Sequence, residues 1–172
     1  MITQEAESER IVKIYTDGAC KGNPGRGGYA AILVWGEHVK EISGGFQKTT
    51  NNRMEMMAAI EGLRTLSKTC KVALYSDSQY LVKAMTKGWT KKWQANGWKT
   101  TTGEPVKNPD LWKELLELCK NHHVVFMWVR GHSGHEFNER CDELAVAASK
   151  SQNLQADQQF EASAKLAQAS LF

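Results

Sequence analysis

Residues Tyr15–Trp35 read YTDGACKGNPGRGGYAAILVW, with apolar residues on both sides of a glycine-rich stretch. The apolar residues that lead up to Asp17 are typical of a largely buried strand, and the pair Asp17-Gly18 predicts that this strand stops there. The glycines between residues 22 and 28 allow the chain to reverse before a second apolar run at 29–35. The stretch therefore predicts a strand, a wide turn and a second strand, with an acid where the first strand ends.

An acid follows a strand a second time further along the chain. The apolar run Lys71–Ser76 ends in Asp77, and Ser78 is a residue type that begins helices. Asp17 alone is better explained as a turn former. The repetition favours a functional carboxylate at both positions.

Two further acids lie on predicted helices. Glu55 stands three residues after Asn52, the spacing of a capping box, so it is also explained as the partner of a helix cap. Asp142 lies beside the apolar stripe of a later helix. The four acids are separated by gaps of 38, 22 and 65 residues, and this spacing by itself does not show that they meet in space.

Five ordered blocks of sequence carry a family resemblance. They are YTDGACKGNPGRGGY, TTNNRMEMMAAIEGL, YSDSQYLV, GWKT with PVKNPDLW, and WVRGHSGHEFNERCDELA. From about Val12 to Lys150 the chain resembles the bacterial branch of type 1 ribonucleases H. The resemblance implies an α/β fold with a mixed five-stranded sheet, in which three antiparallel strands are followed by parallel ones, flanked by helices.

The order of elements that the residue patterns predict agrees with this fold. Strands are expected at 11–16, 29–35, 38–46, 71–76 and 124–129. Helices are expected at 52–67, 78–87, 89–98, 109–121 and 138–150.

The resemblance implies hydrolysis of the RNA strand of RNA–DNA hybrids, leaving 5′-phosphate and 3′-hydroxyl ends. The resemblance also implies that four acids converge to bind two Mg²⁺ ions, for which Mn²⁺ can substitute. These acids are Asp17, Glu55, Asp77 and Asp142. Oxygen ligands suit such hard cations. His132 matches a loop histidine that helps to transfer protons or release product. Glu139 corresponds to an acid that tunes the second metal position.

Residues that resemble the family's substrate contacts lie in the same blocks. Those for the RNA strand are Cys20, Asn23, Asn52 and Gln79. Those for the DNA strand are Asn51 and a phosphate pocket formed by Lys48, Thr50 and Asn108. Each asparagine or threonine is also explained by turn or cap chemistry.

The segment Lys83–Lys107 holds six lysines and one glutamate, a net charge of +5, whereas the whole chain has +3. Tryptophans alternate with these lysines, and a basic, aromatic segment is typical of nucleic-acid binding. The segment resembles the basic handle of the bacterial enzymes, with Trp89, Lys91 and Lys92 as contacts. The alternative is a solvated helical hairpin whose tryptophans belong to the core.

The chain is expected to divide into an N-terminal extension at 1–9, a catalytic domain at 10–150 and a tail at 151–172. The tail is rich in Gln, Ala and Ser, which predicts a flexible or loosely helical extension. Its last residues, Gln168–Phe172, are similar to the pentapeptide by which bacterial replication proteins bind the sliding clamp. The alternative is that the apolar residues of the tail fold back on the domain.

The remaining composition excludes several classes of protein. The four cysteines form no CxxC pair and no convincing zinc pattern, which favours reduced thiols. The sequence has no signal peptide and no long apolar run, so we expect a cytoplasmic protein without membrane spans, monomeric by default. Two other functions stay open: a binding module for hybrids or duplex RNA that lacks catalysis, and a nuclease of the same fold that acts on DNA junctions or during integration.

Overall fold

The computed structural model describes residues 10–171, in which five strands form one mixed sheet in the order β3-β2-β1-β4-β5. The strands β1, β2 and β3 pair in antiparallel fashion, whereas β4 and β5 run parallel to β1. Their bounds are β1 Ile11–Lys21, β2 Gly25–Trp35, β3 His38–Thr49, β4 Lys71–Ser76 and β5 His123–Trp128. The predicted sheet is thereby confirmed.

Six helices surround this sheet in the described part of the chain. They are α1 Asn51–Arg64, α2 Gln79–Thr86, α3 Trp89–Ala95, α4 Pro109–Lys120, α5 Glu136–Ser149 and α6 Gln158–Ala169. Side chains of α1, α2 and α4 share the larger core with one face of the sheet, where Trp112 is fully buried. Helix α5 covers the other face, with Cys141 and Ala145 against Tyr15 and Ile32.

The prediction that β1 stops at Asp17-Gly18 is wrong. The strand continues to Lys21, with Asp17 opposite Ala30 and Gly18 opposite Tyr29 in β2. Gly18 is needed because α1 lies against the strand: a Cβ atom there would be 2.5 Å from the backbone nitrogen of Glu55. The glycine therefore marks a close approach of helix and strand rather than a turn.

The predicted capping box at Asn52 is also wrong. Helix α1 begins at Asn51, and its N-cap is Thr50, whose side chain accepts a hydrogen bond from the Arg53 backbone nitrogen. The threonine hydroxyl already accepts a hydrogen bond from a backbone N–H group of the first helical turn, which has no partner within the helix. Glu55 is therefore not a capping partner.

The segment that follows α5 packs onto the edge of the sheet. Gln155 forms a parallel bridge with Phe46, and the backbone nitrogen of Gln47 donates to the Gln155 carbonyl at 2.8 Å. Leu154 is buried beside Gly45. Asp157 then caps α6 by accepting from the Phe160 backbone nitrogen.

Helix α6 has no buried residue, and the side chains of Leu166 and Leu171 are exposed. Phe172, the last residue of the predicted clamp-binding pentapeptide, lies outside the described residues, as does the extension at 1–9. No helix within residues 10–171 has the length and apolar character needed to cross a membrane.

Candidate active site

Three acids from different elements meet at one point. Asp17 lies on β1, Glu55 on α1, and Asp77 directly follows β4. Each of the three offers a carboxylate oxygen, and these oxygens all lie within 4.8 Å of one another. Because β1 and β4 are adjacent parallel strands, the pairing of Tyr15 with Tyr75 brings Asp17 and Asp77 to the same region of the sheet.

Asp142 and His132 line the same concave site, whose volume is about 410 Å³. Asp142 comes from α5, on the opposite face from α1, and after burial its charge is a further cause of the raised pKa of both Asp17 and Asp77. His132 has a φ of 52° and stands on the loop between β5 and α5. The structure therefore brings together all five residues that were predicted to be catalytic.

Burial and mutual repulsion make this cluster electrostatically costly. Burial, followed by the charge of Asp77, raises the pKa of Asp17 to about 7. Burial and the neighbouring Asp17 and Asp77 hold the pKa of Glu55 well above its usual range. Burial also raises the pKa of Asp77, while the charge of His132 opposes this rise. Among residues 10–171, no lysine or arginine lines this concavity, and His132 is the one side chain there that can carry a positive charge, as expected of carboxylates arranged around a cation.

Glu55 carries the most direct sign of a missing partner. Its side chain is 5% exposed, and its Oε2 atom is buried without a hydrogen bond. Buried polar atoms are nearly always paired, so an unpaired carboxylate oxygen indicates a ligand that the chain itself does not provide. The donor set consists of carboxylate oxygens, which fits a hard divalent cation such as Mg²⁺ or Mn²⁺.

The loop that carries His132 lies unusually close to Asp77. A Cβ atom at Gly131 would stand 2.5 Å from Oδ2 of Asp77. The backbone oxygen of Asp77 accepts a hydrogen bond from Nε1 of Trp128 at 3.1 Å, and Val129 donates to the Ser76 carbonyl at 3.0 Å. The end of β5 thus fixes the backbone at Asp77, and the glycine leaves room for its carboxylate.

We expect Gly131→Ala to raise the Mg²⁺ concentration needed for half-maximal activity by at least about tenfold, because the new methyl group displaces the Asp77 carboxylate. A metal titration of hydrolysis rates measures this effect. The unfolding temperature should change little, since the clash is with one side-chain oxygen that can rotate away. An unchanged metal dependence would show that Asp77 tolerates the displacement.

The predicted RNA-strand contacts surround the acids to different degrees. Asn52 and Gln79 line the acidic site, as does the predicted DNA contact Asn51. Asn23 lies on the β1–β2 turn, where its Oδ1 accepts from the Asn51 backbone nitrogen at 3.2 Å. Cys20 contacts the Gly25 and Thr49 carbonyl oxygens through its Sγ.

The predicted DNA-strand contacts lie beside the start of α1. Lys48 is exposed near the end of β3, and Thr50 caps α1. Asn108 caps α4 from a left-handed backbone conformation with φ 58°. Arg53 donates to both residues, to Thr50 from its backbone nitrogen and to Asn108 from its side chain. The second of these bonds joins α1 to the start of α4.

The handle and Glu139 lie apart from the acids. Lys91 and Lys92 are exposed on α3, whereas Trp89 is half-buried against Tyr80 and Trp93. Glu139 is exposed on α5 and lines a different groove, beside Val39. Its predicted effect on a second metal position stays a prediction.

Sequence reasoning missed three residues that shape the site: Gly18, Gly131 and Arg53. Gly18 was interpreted as part of a turn, although a glycine directly next to a candidate acid is also typical of a close approach, and Gly131, directly before His132, was not considered. Arg53 is 3% exposed. A charged residue among the apolar positions of NNRMEMMAAI was the signal that could have identified it.

Known proteins are similar to this chain in sequence and in fold. The ribonuclease H of Rippkaea orientalis is 61% identical over 155 residues, which cover 90% of this chain and 95% of the relative. LC9-RNase H1, a type 1 RNase H with the type 2 active-site motif, has a TM-score of 0.74 at 32% identity and covers 84% of this chain and 74% of its own. LC11-RNase H1, crystallised with an RNA/DNA hybrid, shares the fold with a TM-score of 0.56 at 24% identity, over 80% of this chain and 95% of its own.

These similarities place the fold among those of the type 1 ribonucleases H. The RNase H family model matches residues 9–150. The chain belongs to the RNase H family.

Proposed function

We propose that this chain hydrolyses the RNA strand of RNA–DNA hybrids at the site formed by Asp17, Glu55, Asp77 and Asp142, leaving 5′-phosphate and 3′-hydroxyl ends. Ribonuclease H activity follows from membership of the family. The observation that carries the assignment to these residues is the buried cluster in which three carboxylate oxygens lie within 4.8 Å of one another.

The four acids would hold two divalent cations, and Mg²⁺ is the proposed ion. Two bound cations would lower the pKa of an attacking water and neutralise charge on the leaving 3′ oxygen. Asp17 and Glu55 are the most buried of the four acids, so their oxygens are fixed with little freedom. Asp77 and Asp142 are more accessible, which suits acids that face the scissile phosphate.

His132 is proposed to move a proton at the edge of the site. Its side chain is exposed and lines the acidic concavity beside Asp77. An imidazole changes charge near neutral pH and can both accept and donate a proton. His132 has a left-handed backbone conformation and directly follows Gly131 on the loop between β5 and α5.

Selection of RNA is proposed to depend on polar side chains at the rim of the acidic site. RNA differs from DNA by its 2′-hydroxyls, which lie in the wide minor groove of an A-like duplex. The amide groups of Asn52 and Gln79 can both donate to and accept from such hydroxyls. Both side chains are exposed next to the acids, which supports contact with the strand that is cut.

Neutralising the two exposed handle lysines should weaken hybrid binding without slowing the chemical step. For Lys91→Ala with Lys92→Ala, the slope of the logarithm of affinity against the logarithm of salt concentration should fall by about 2, one for each lost phosphate contact. Binding titrations at several salt concentrations measure this slope. The control is Lys120→Ala with Lys165→Ala, which removes the same charge elsewhere. Equal slopes in both double variants would contradict the handle's proposed role.

A cleavage assay tests the proposed function. One end-labelled RNA is presented alone, as an RNA duplex and as an RNA–DNA hybrid, each with Mg²⁺ or with chelator. We expect metal-dependent cutting that is confined to the hybrid. If the hybrid binds but stays intact with Mg²⁺ and with Mn²⁺, the chain is a binding module. A labelled DNA junction is presented as a fourth substrate, and cutting of this junction instead of the hybrid would favour the related DNA nucleases.

The predicted sliding-clamp contact through Gln168–Phe172 remains a proposal. Its support is that Leu171 is 80% exposed at the end of a helix without buried residues. An exposed apolar terminus can insert into a pocket of a partner. The predicted monomeric state and cytoplasmic location likewise remain predictions.

A further inference from the structure

Arg53 is a buried arginine that joins three separate parts of the chain. Its guanidinium group forms a double hydrogen bond with Asp157, at 2.7 and 2.9 Å. It forms a second double hydrogen bond with Asp110 on α4, at 2.9 and 2.8 Å. Thr49 also donates to Asp157 at 2.7 Å. Such paired geometry fixes the plane of a guanidinium group.

The same guanidinium group orients Asn108. Its Nη1 donates to Oδ1 of Asn108 at 3.2 Å. Arginine has donors only, so the asparagine must turn its oxygen toward Arg53 and its amide nitrogen away. Asn108 stands at the N-cap of α4, yet its side chain makes no capping bond. No residue within 10–171 accepts a hydrogen bond from its amide nitrogen.

Thr50 is oriented by the backbone of the same arginine. The Arg53 backbone nitrogen donates to the Thr50 hydroxyl oxygen at 3.2 Å. Because that oxygen acts as the acceptor, the hydroxyl hydrogen stays available to an outside acceptor. Arg53 thus leaves two donors, one hydroxyl and one amide, free on the two elements that it joins.

We propose that Arg53 is a positioning residue for the DNA strand: held by Asp110 and Asp157, its guanidinium group fixes the side chain of Asn108, which donates together with the Thr50 hydroxyl to one DNA phosphate. This inference rests on the proposed function, because it concerns how that activity holds its substrate. Asp157 belongs to the segment after α5, so the C-terminal segment supports hybrid binding without touching the hybrid.

The energetics of the cluster favour such a role over one in stability alone. Burying an arginine with two carboxylates costs desolvation energy that the ion pairs often only offset, and apolar side chains of similar volume are often as stable. A pair of carboxylates that each form a double hydrogen bond additionally fixes the orientation of the guanidinium group. Donors that are to bind a phosphate together must be held in such a fixed orientation.

The first test separates substrate affinity from turnover. Arg53→Lys keeps the charge but loses the paired geometry, and Asp157→Asn removes one of the two carboxylates. For both variants we expect KM for a hybrid to rise about tenfold with kcat unchanged, the loss of roughly one charge-assisted hydrogen bond to phosphate. In an Asn108→Ala background, Arg53→Lys should raise KM no further. Additive effects on KM, or a fall in kcat alone, would overturn the inference.

The second test uses binding in the presence of chelator, which does not depend on catalysis. Hybrids that carry one uncharged methylphosphonate at successive positions of the DNA strand should show one position where the wild-type chain loses affinity. That position-specific loss should vanish in Arg53→Lys. It should persist in the control Arg140→Lys, since Arg140 also bridges two acids, Glu41 and Glu143, but on the exposed face of α5.

The outcomes distinguish this inference from the proposed function. A wild-type chain that leaves hybrids intact contradicts the proposed function, whereas the methylphosphonate scan still tests Arg53. A wild-type chain that cuts hybrids, with an identical scan in Arg53→Lys, contradicts only the inference. An equal loss of the position-specific effect in Arg140→Lys would also contradict the inference, because any arginine-to-lysine change that breaks a bridge between two acids would then have this effect.

Discussion

Replacing Asp77 by asparagine should lower kcat for hybrid hydrolysis by at least about 1000-fold while hybrid affinity stays within about threefold. Asparagine keeps the size of the side chain but removes the charge that a bound cation requires. Asp77 lies in the acidic site together with Asp17 and Glu55, and the predicted phosphate and handle contacts lie elsewhere. Single-turnover cleavage and binding in chelator measure the two quantities.

The matched control is Glu117→Gln, which neutralises an exposed acid that pairs with Lys120 on α4. It should leave both quantities at their wild-type values. Retained cleavage in Asp77→Asn would mean that this carboxylate is dispensable and that the metal assignment is wrong. A parallel loss of binding and cleavage would instead indicate damage to the fold.

The second large effect concerns stability in the absence of divalent metal. The Asp17 carboxyl ionises near pH 4 in an unfolded chain but near pH 7 in the folded one, because of burial and the charge of Asp77. Between these values the unfolded chain has lost the proton while the folded chain keeps it. The free energy of unfolding should therefore fall as the pH rises from about 4 to about 7, by at most about 4 kcal/mol, and stay low above that.

Asp17→Asn removes this penalty, so in chelator the variant should be more stable than the wild type at pH 8 and about equally stable at pH 4. The difference between the two urea unfolding curves cancels the titrating groups that do not interact with Asp17, and it includes the effect of Asp17 on the pKa of Glu55. Addition of Mg²⁺ should stabilise the wild type more than the variant, because the ion binds only the folded site. A difference that does not depend on pH would contradict a raised pKa for Asp17.

The sequence predicted the elements better than their ends. Alternation and apolar runs located all five strands, but an Asp-Gly pair was interpreted as a strand end when Gly18 in fact makes room for α1. Local patterns cannot distinguish a turn from a close approach of helix and strand, since both favour a residue without a side chain. The cap at Thr50 was missed for a similar reason, because Asn52 and Thr50 offer equivalent oxygens.

The convergence of the acids could not be predicted from spacing. It depends on the parallel pairing of β1 with β4, which joins residues about 60 positions apart, and on the contact of Gly18 with the first turns of α1. The family resemblance supplied what the spacing could not. Arg53 lies inside one of the matched blocks, but its partner Asp157 is 104 residues further along the chain and outside all of them.

The way in which the C-terminal segment is attached has a practical consequence for protein engineering. The anchors of that segment end with Asp157, whereas α6 contributes nothing to the buried interior. A fluorescent tag or a second domain can therefore be fused after Ala169 without disturbing the site. A truncation that ends before Leu154 would remove the Asp157 carboxylate that pairs with the buried Arg53, although it deletes only residues at the end of the chain.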